Sequence, residues 1–421
     1  MPGTSAPIPA PPVLVVGIGA DGWEGVPPRT RATVLQAAVV LGGRRHLAML
    51  PEVPGQRREP WPSPLRAGLP ALLASLIDNR VADSRVADGR VVALASGDPL
   101  VSGIGTTLID LLGREAVTIV PAVSSVALAR AELGWPAESC AVVSVTGGDP
   151  ALVLRELAPG RRVLVLSADE RTPGQVARLL ADAGYGASVL TVLGDLGSDQ
   201  ASTVIATAEA WAAQTAGTAG PRLNIIGLEL AGPPAGGWVA GLPDAAFEHD
   251  GQLTKRDLRA SALARLAPVP GEHLWDVGAG AGSIGIEWLR AHPSCTATAV
   301  EANGGRAARI ARNAARLGVP HLRVVTGRAP EALAGLPQPD AIFLGGGATR
   351  AGVLDACFAA LRPGGRLVAH AVTLETERLL VDAYGERGGE LTRIAVETAA
   401  PIGSFTGWSP ARAVTQWALT R

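Results

Sequence analysis

Short runs of apolar, mostly β-branched residues alternate with longer amphipathic stretches over nearly the whole chain. In the first half, residues 13–16, 91–95, 117–120, 141–145 and 162–166 predict buried strands. Helices are predicted between them at 105–112 and 172–183, the second stopped by Gly184. The second half predicts helix 254–266, strand 273–277, helix 283–291, strand 296–300 and helix 306–317, the last stopped by Gly318. Strands follow at 322–325, 340–344 and 366–371, with two more near 392–398 and 413–418. Short strands alternating with helices predict an α/β protein with mainly parallel sheets joined by crossovers. The closing pair of runs predicts an antiparallel edge on a doubly wound sheet.

A chain of 421 residues is too long for one ordinary core, so at least two domains are expected. The texture breaks at Gly232-Pro233-Pro234-Ala235-Gly236-Gly237 and again at Gly241-Leu242-Pro243-Asp244. The expected layout is a disordered, Pro-rich leader over 1–12, a first domain over 13–230, a linker over 231–246 and a second domain over 247–421. The two halves show no repeat of each other, which predicts a fusion and not a duplication.

Composition narrows the function classes. A formal net charge of −1 gives no basic footprint for nucleic acid. No apolar run approaches the roughly 20 residues of a membrane helix, and the opening lacks the charged head and apolar core of a signal peptide. A cytoplasmic protein is expected. Cys140, Cys295 and Cys357 are scattered without metal-type spacing, so neither a metal site nor a disulfide framework is expected. Lys255 is the only lysine in the chain. Biased codon usage explains that economically; the sharper account is that a compact ammonium is wanted there.

The stretch Leu274-Trp275-Asp276-Val277-Gly278-Ala279-Gly280-Ala281-Gly282-Ser283 carries the strongest chemical signal. Alternate glycines after a strand let the backbone turn sharply and approach a nucleotide, while the next helix aims free N–H groups at it. Glu301 ends the following strand about 20 residues on, where an acid can hold ribose hydroxyls. The G-x-G-x-G spacing favours S-adenosylmethionine over a dinucleotide. Gly327, Arg328 and Ala329 follow the third strand of this series, where an adenine ring would lie, although a plain turn is locally as economical. Gly345, Gly346 and Gly347 leave bare backbone at the end of another strand, the edge where such sheets bind ligands. Thr254 and Asp257 form a capping-box-like helix start. Arg256 and Arg259 share one helical face, either as a solvated basic edge or as a lid offering positive charge to an anionic substrate.

These motifs, with Leu361-Arg362-Pro363-Gly364-Gly365-Arg366, resemble the C-terminal half of the precorrin-6Y C5,15-methyltransferase (decarboxylating) family from about residue 247 onward. His370 departs from it, standing where an amide side chain is expected; its protonation would add a pH term. Four stretches of the first half resemble the tetrapyrrole methylase half of the same bifunctional family. They are Val15-Val16-Gly17-Ile18-Gly19-Ala20, Leu41-Gly42-Gly43-Arg44-Arg45-His46, Ser96-Gly97-Asp98-Pro99-Leu100 and Val120-Pro121-Ala122-Val123-Ser124-Ser125. Ala20 replaces the proline of the expected Gly-Pro-Gly-Asp turn. Thr146-Gly147-Gly148 stands where relatives often carry His-Gly-Arg.

The resemblance implies a two-lobed tetrapyrrole methylase fold followed by a Rossmann-like methyltransferase domain. It implies S-adenosylmethionine contacts at Gly19, Gly97, Asp98, Ser124 and Ser125 in the first domain. In the second it implies contacts at Thr254, Gly278, Ala279, Gly280, Ala281, Gly282, Glu301, Gly327, Arg328 and Ala329. Lys255, Arg256, Arg259, Gly345, Gly346 and His370 are the expected contacts to a tetrapyrrole bearing many carboxylates. The implied reactions are methylation of precorrin-6B at C-5 and C-15 and loss of the C-12 acetate as carbon dioxide, giving precorrin-8X. Another small molecule as substrate is the alternative. A homo-oligomer is expected, with no nucleic-acid or membrane partner.

Overall fold

A computed structural model describes residues 12–82, 91–213, 220–234 and 237–421. The leader expected over 1–12 lies, apart from Pro12, outside the described residues. The chain divides into two compact units: the first runs up to Pro150 and includes Ala158–Pro233, the second comprises Ala151–Leu157 and Pro234–Arg421.

The first unit contains two five-stranded sheets. The first sheet is built from β1 (Val13–Ile18), β2 (Val39–Gly42), β3 (Arg57–Pro60), β4 (Val91–Ser96) and β5 (Val117–Val120), in the order β3-β2-β4-β1-β5. Every neighbouring pair is parallel. Val13, Val15, Val91 and Ala93 pack against Leu69, Leu73 and Leu108, while Val16, Ile18, Val92 and Leu94 pack with Val26 and Val34. Burial on both faces is why these strands read as continuous apolar runs.

The second sheet takes β6 (Cys140–Ser144), β7 (Arg162–Leu166), β8 (Val189–Gly194), β9 (Ser202–Thr207) and β10 (Asn224–Glu229) in the order β6-β7-β10-β8-β9. Only β6 and β7 are parallel; β10 runs antiparallel to β7 and β8, and β8 to β9. The expectation of mainly parallel sheets therefore fails here. The short connection between β8 and β9 permits only a hairpin, and β9 is an exposed edge strand without an apolar run to betray it.

The second unit holds a seven-stranded sheet of β11 (His273–Val277), β12 (Thr296–Glu301), β13 (Arg323–Thr326), β14 (Ala341–Leu344), β15 (Arg366–Ala371), β16 (Glu390–Ile394) and β19 (Val414–Thr420). Its order is β13-β12-β11-β14-β15-β19-β16; the first five strands are parallel, and β19 is antiparallel to both neighbours. The order reverses between β11 and β14, the switch point where open α/β sheets bind ligands. The run expected near 392–398 is split: β16 ends at Ile394, and β17 (Glu397–Ile402) pairs with β18 (Phe405–Pro410) as a separate hairpin. The stretch read as a linker is fastened to this unit at its C-terminal end. Leu242 and Phe247 enter its core, and the Gly241 and Leu242 N–H groups donate to Glu287 at 2.6 and 3.0 Å.

Candidate functional sites

In the first unit, β1, β4 and β5 end together, and their following loops converge on one cleft of about 450 Å³, within the usual range for small-ligand sites. The convergence needs glycine. A Cβ on Gly17 would lie 2.2 Å from the Gly97 carbonyl oxygen, and Gly97 itself has φ +57, a region that non-glycine residues rarely occupy. The Gly97 N–H donates to the Ile18 carbonyl at 2.7 Å, locking the two loops together. Asp98 accepts from the Leu100 N–H at 2.8 Å, and Ser124 caps helix Ser125–Leu133 through the Ala127 N–H at 3.1 Å. Both side chains therefore have a structural task as well as a place on the cleft wall.

All five residues expected to hold the cofactor here, Gly19, Gly97, Asp98, Ser124 and Ser125, line this cleft. Thr146 also lines it. The second sheet contributes Ser167, Asp195, Arg222 and Asn224, which sequence reasoning missed. No motif marks them, and β8 and β10, which bring in Asp195, Arg222 and Asn224, were not among the predicted strands.

In the second unit, Gly278, Gly280 and Gly282 all have positive φ (+69, +59 and +76). A Cβ on Gly278 would lie 2.5–2.8 Å from backbone atoms of Gly346, and one on Gly280 would lie 2.8 Å from the Gln252 carbonyl oxygen. The glycine turn is thus enclosed by the triple-glycine strand end on one side and by the stretch before Thr254 on the other. Asn313, fully buried, bonds this enclosure together: its side-chain amide donates to Ala281 (3.0 Å) and to the Glu248 carbonyl (2.9 Å) and accepts from the Glu248 N–H. Asp250 is drawn toward Arg306 at 2.9 Å and Arg309 at 3.2 Å, and the Arg306 bond, its largest influence, holds its carboxyl well below the usual range. Asn313, Arg306 and Arg309 were not expected. Their spacing on helix Gly304–Arg316 gives an i, i+3, i+7 face, but nothing in the sequence shows what that face meets.

Glu301 is buried; its Oε2 accepts from the Gly280 N–H and its Oε1 from the Asn303 N–H, both at 2.9 Å. A carboxylate has about four acceptor sites, so capacity remains for a pair of hydroxyls. The Gly327 N–H donates to the Glu301 carbonyl at 3.0 Å, which brings Gly327, Arg328 and Ala329 beside the acid. Beneath the turn, Asp276 is fully enclosed and accepts from the Gly285 N–H at 3.0 Å. Burial, with the Glu301 charge adding to it, pushes its carboxyl up to about 7 against that hydrogen bond. Positive-φ glycines, free acceptor capacity on Glu301 and a helix N-terminus at Ser283 fit the ribose and carboxylate ends of S-adenosylmethionine.

The expected substrate contacts divide. Lys255 and Arg256 are exposed at the start of helix Arg256–Leu266, with Lys255 Nζ 3.5 Å from Asp244. Gly345 and Gly346 are exposed at the end of β14. Arg259 is a correction. Its guanidinium has no exposed surface: it pairs with Glu287 (2.5 Å) and Asp244 (3.4 Å), donates to the Thr254 and Leu242 carbonyls, and stacks 4.8 Å from the Phe247 ring. Buried and bonded to Leu242, Asp244, Thr254 and Glu287, it is not available to a ligand.

His370 is likewise buried. It sits edge-on to Phe343 at 5.0 Å, with Nε2 2.9 Å from the Gln416 side chain. Burial lowers its pKa, so it stays neutral and adds no pH term near neutrality. Its reach toward a ligand runs through Phe343, whose ring lies against Gly345. The capping box is a further correction: the helix N-cap is Lys255, not Thr254, and makes no side-chain cap bond.

Two family models match in succession, "Tetrapyrrole (Corrin/Porphyrin) Methylases" over residues 12–212 and "Precorrin methyltransferase domain" over residues 245–421. Fold and sites together define a methyltransferase made of two unlike α/β parts. The chain is 44% identical to precorrin-6Y C(5,15)-methyltransferase (decarboxylating) of Sinorhizobium sp, over 98% of this chain and 97% of that one. It is 43% identical to the Mycobacterium tuberculosis (strain CDC 1551 / Oshkosh) protein of the same name, over 97% of this chain and 100% of the relative. The crystal structure of the C-terminal domain of precorrin-6Y C5,15-methyltransferase from Rhodobacter capsulatus is 45% identical and covers 44% of this chain and 100% of its own, with a TM-score of 0.42. The chain belongs to the precorrin-6Y C5,15-methyltransferase (decarboxylating) family, as its motifs led us to expect.

Proposed function

We propose that the first unit methylates C-5 of precorrin-6B, and that the second methylates C-15 and releases the C-12 acetate as carbon dioxide. The product is precorrin-8X. The observation that carries this reading is that each unit builds its own glycine-walled site from its own loops, in a chain related over nearly its full length to enzymes of that name. S-adenosylmethionine, the proposed donor at both sites, supplies a methyl group already activated on a sulfonium. The protein's share is therefore alignment and exclusion of water.

In the first unit, Gly19, Gly97, Asp98, Ser124 and Ser125 hold the donor against one wall of the cleft. In the second, Glu301 holds hydroxyls, Gly278–Gly282 leave room for close approach, and Gln252 covers the turn from above. Gly327, Arg328 and Ala329 border the adenine side. Lys255 and Arg256, exposed at the rim, meet substrate carboxylates, and Gly345 and Gly346 let the flat ring approach the backbone. A cytoplasmic location and self-association belong to the same reading; the hairpin of β17 and β18 exposes Ile402, Phe405 and Trp408, an apolar surface that a second copy would cover. Incubation with precorrin-6B and S-adenosylmethionine, followed by mass spectrometry, tests the assignment. Two added methyl groups and one lost carbon dioxide are expected; a product with either change missing overturns it.

A further inference from the structure

The cleft of the first unit carries charges that lie outside the five donor contacts proposed above. Arg45 stands on helix Arg44–Ala48, Asp195 in the turn after β8, and Arg222 just ahead of β10; all three line the cleft. Asp195 has φ +46, uncommon for a residue with a side chain. Its N–H donates to the Leu223 carbonyl at 3.0 Å, which ties its turn to the residue after Arg222.

Arg45 is oriented from behind. Its Nη2 lies 3.1 Å from His46 Nε2. A guanidinium only donates, so Nε2 is the acceptor and the ring proton sits on Nδ1. Burial, helped by the Arg45 charge, lowers the His46 pKa to about 4, and the ring is neutral in ordinary buffers. The imidazole thus holds Arg45 without adding a competing cation. Arg222, in contrast, has no hydrogen bond or ion pair to any of the described residues.

Asp195 attracts Arg45 while Arg222 repels it, and Asp98, the other acid on the cleft wall, accepts from the Leu100 N–H at 2.8 Å. Asp169 and Glu170 line a recess that Arg222 also lines, and neither forms an ion pair with it among the described residues.

We propose that Arg45, positioned by His46, and Arg222 form a clamp for a carboxylate bound in the first unit's cleft. Two planar guanidinium forks facing one space suit a planar anion better than a point charge. Building on the proposed function, the carboxylate comes either from a side chain of the ring substrate or from the amino-acid end of the methyl donor.

The test uses the full chain and does not depend on turnover. An octacarboxylate porphyrin and its octamethyl ester are titrated against wild type, Arg45→Gln and Arg222→Gln, alongside calorimetry with S-adenosylhomocysteine. Loss of a charge-assisted hydrogen bond predicts about a tenfold or greater weakening. If the acid porphyrin weakens and the ester does not, the clamp serves the ring. If S-adenosylhomocysteine weakens at one site only, it serves the donor. His46→Leu should reproduce the Arg45→Gln shift, and His46→Gln, which keeps an acceptor, should restore most of the affinity. Unchanged affinity for every ligand in both arginine variants overturns the clamp. Failure of wild type to methylate precorrin-6B would instead sink the proposed function, leaving these binding results standing.

Discussion

A methyl group on Gly278 has nowhere to go, because it would meet the Gly346 backbone within 2.8 Å at a φ of +69. Backbone cannot rotate aside as a side chain can, and the left-handed conformation alone costs about 1–2 kcal/mol for a residue with a Cβ. Gly278→Ala should therefore weaken S-adenosylhomocysteine at the second unit by at least about tenfold, since 1.4 kcal/mol is one decade. The first unit's affinity should stay unchanged in the same calorimetric run. Asp276 gives a pH test. Its folded pKa of about 7 lies above the ordinary 3.8, so between those values the folded state holds a proton that the unfolded state has released. Stability of the second unit should fall as pH rises from 4 to 7. Asp276→Asn, which keeps an acceptor for Gly285, should flatten that decline in melting temperature. The glycine turn was legible because a strand followed by glycines at alternate positions seldom serves any purpose but close backbone approach. Arg259 was misread because a sequence shows a charge but not its burial.

Helix Arg256–Leu266 shows the same limit at the scale of an element. Its two arginines share a face by spacing, yet Arg256 is exposed and Arg259 is sealed against Glu287. Removing one partner of a buried ion pair typically costs about 3–5 kcal/mol. Arg259→Met should lower the melting temperature of the second unit accordingly, and adding Glu287→Gln, which removes the unpaired charge but keeps an acceptor for the Gly241 and Leu242 N–H groups, should recover part of it. A melting temperature that does not move, with a raised KM for the ring, would restore Arg259 to the substrate. Strands buried on both faces were read in β1, β4, β7, β11 and β14, but the equally buried runs of β2, β8 and β10 were missed. The exposed edge β9 and the hairpin of β17 and β18 carry no such run. β3, Arg57-Arg58-Glu59-Pro60, has no apolar run to read.

At the scale of the whole molecule, two unlike units on one chain keep two sites at high mutual concentration for a shared intermediate. The alternation of strands and helices was enough to give the α/β class, and chain length with the Gly/Pro-rich break after residue 231 gave a two-part chain. Mixed strand directions in β6–β10 were not legible, and with them went Asp195, Arg222 and Asn224 on the far wall of the first cleft. The central claim is that each unit binds its own methyl donor. Calorimetric titration of the full chain with S-adenosylhomocysteine tests it most directly, on wild type and on Asp98→Ala and Glu301→Ala variants. Two sites per chain are predicted, each variant losing a different one; a single site in wild type, or loss of both in either variant, would contradict it.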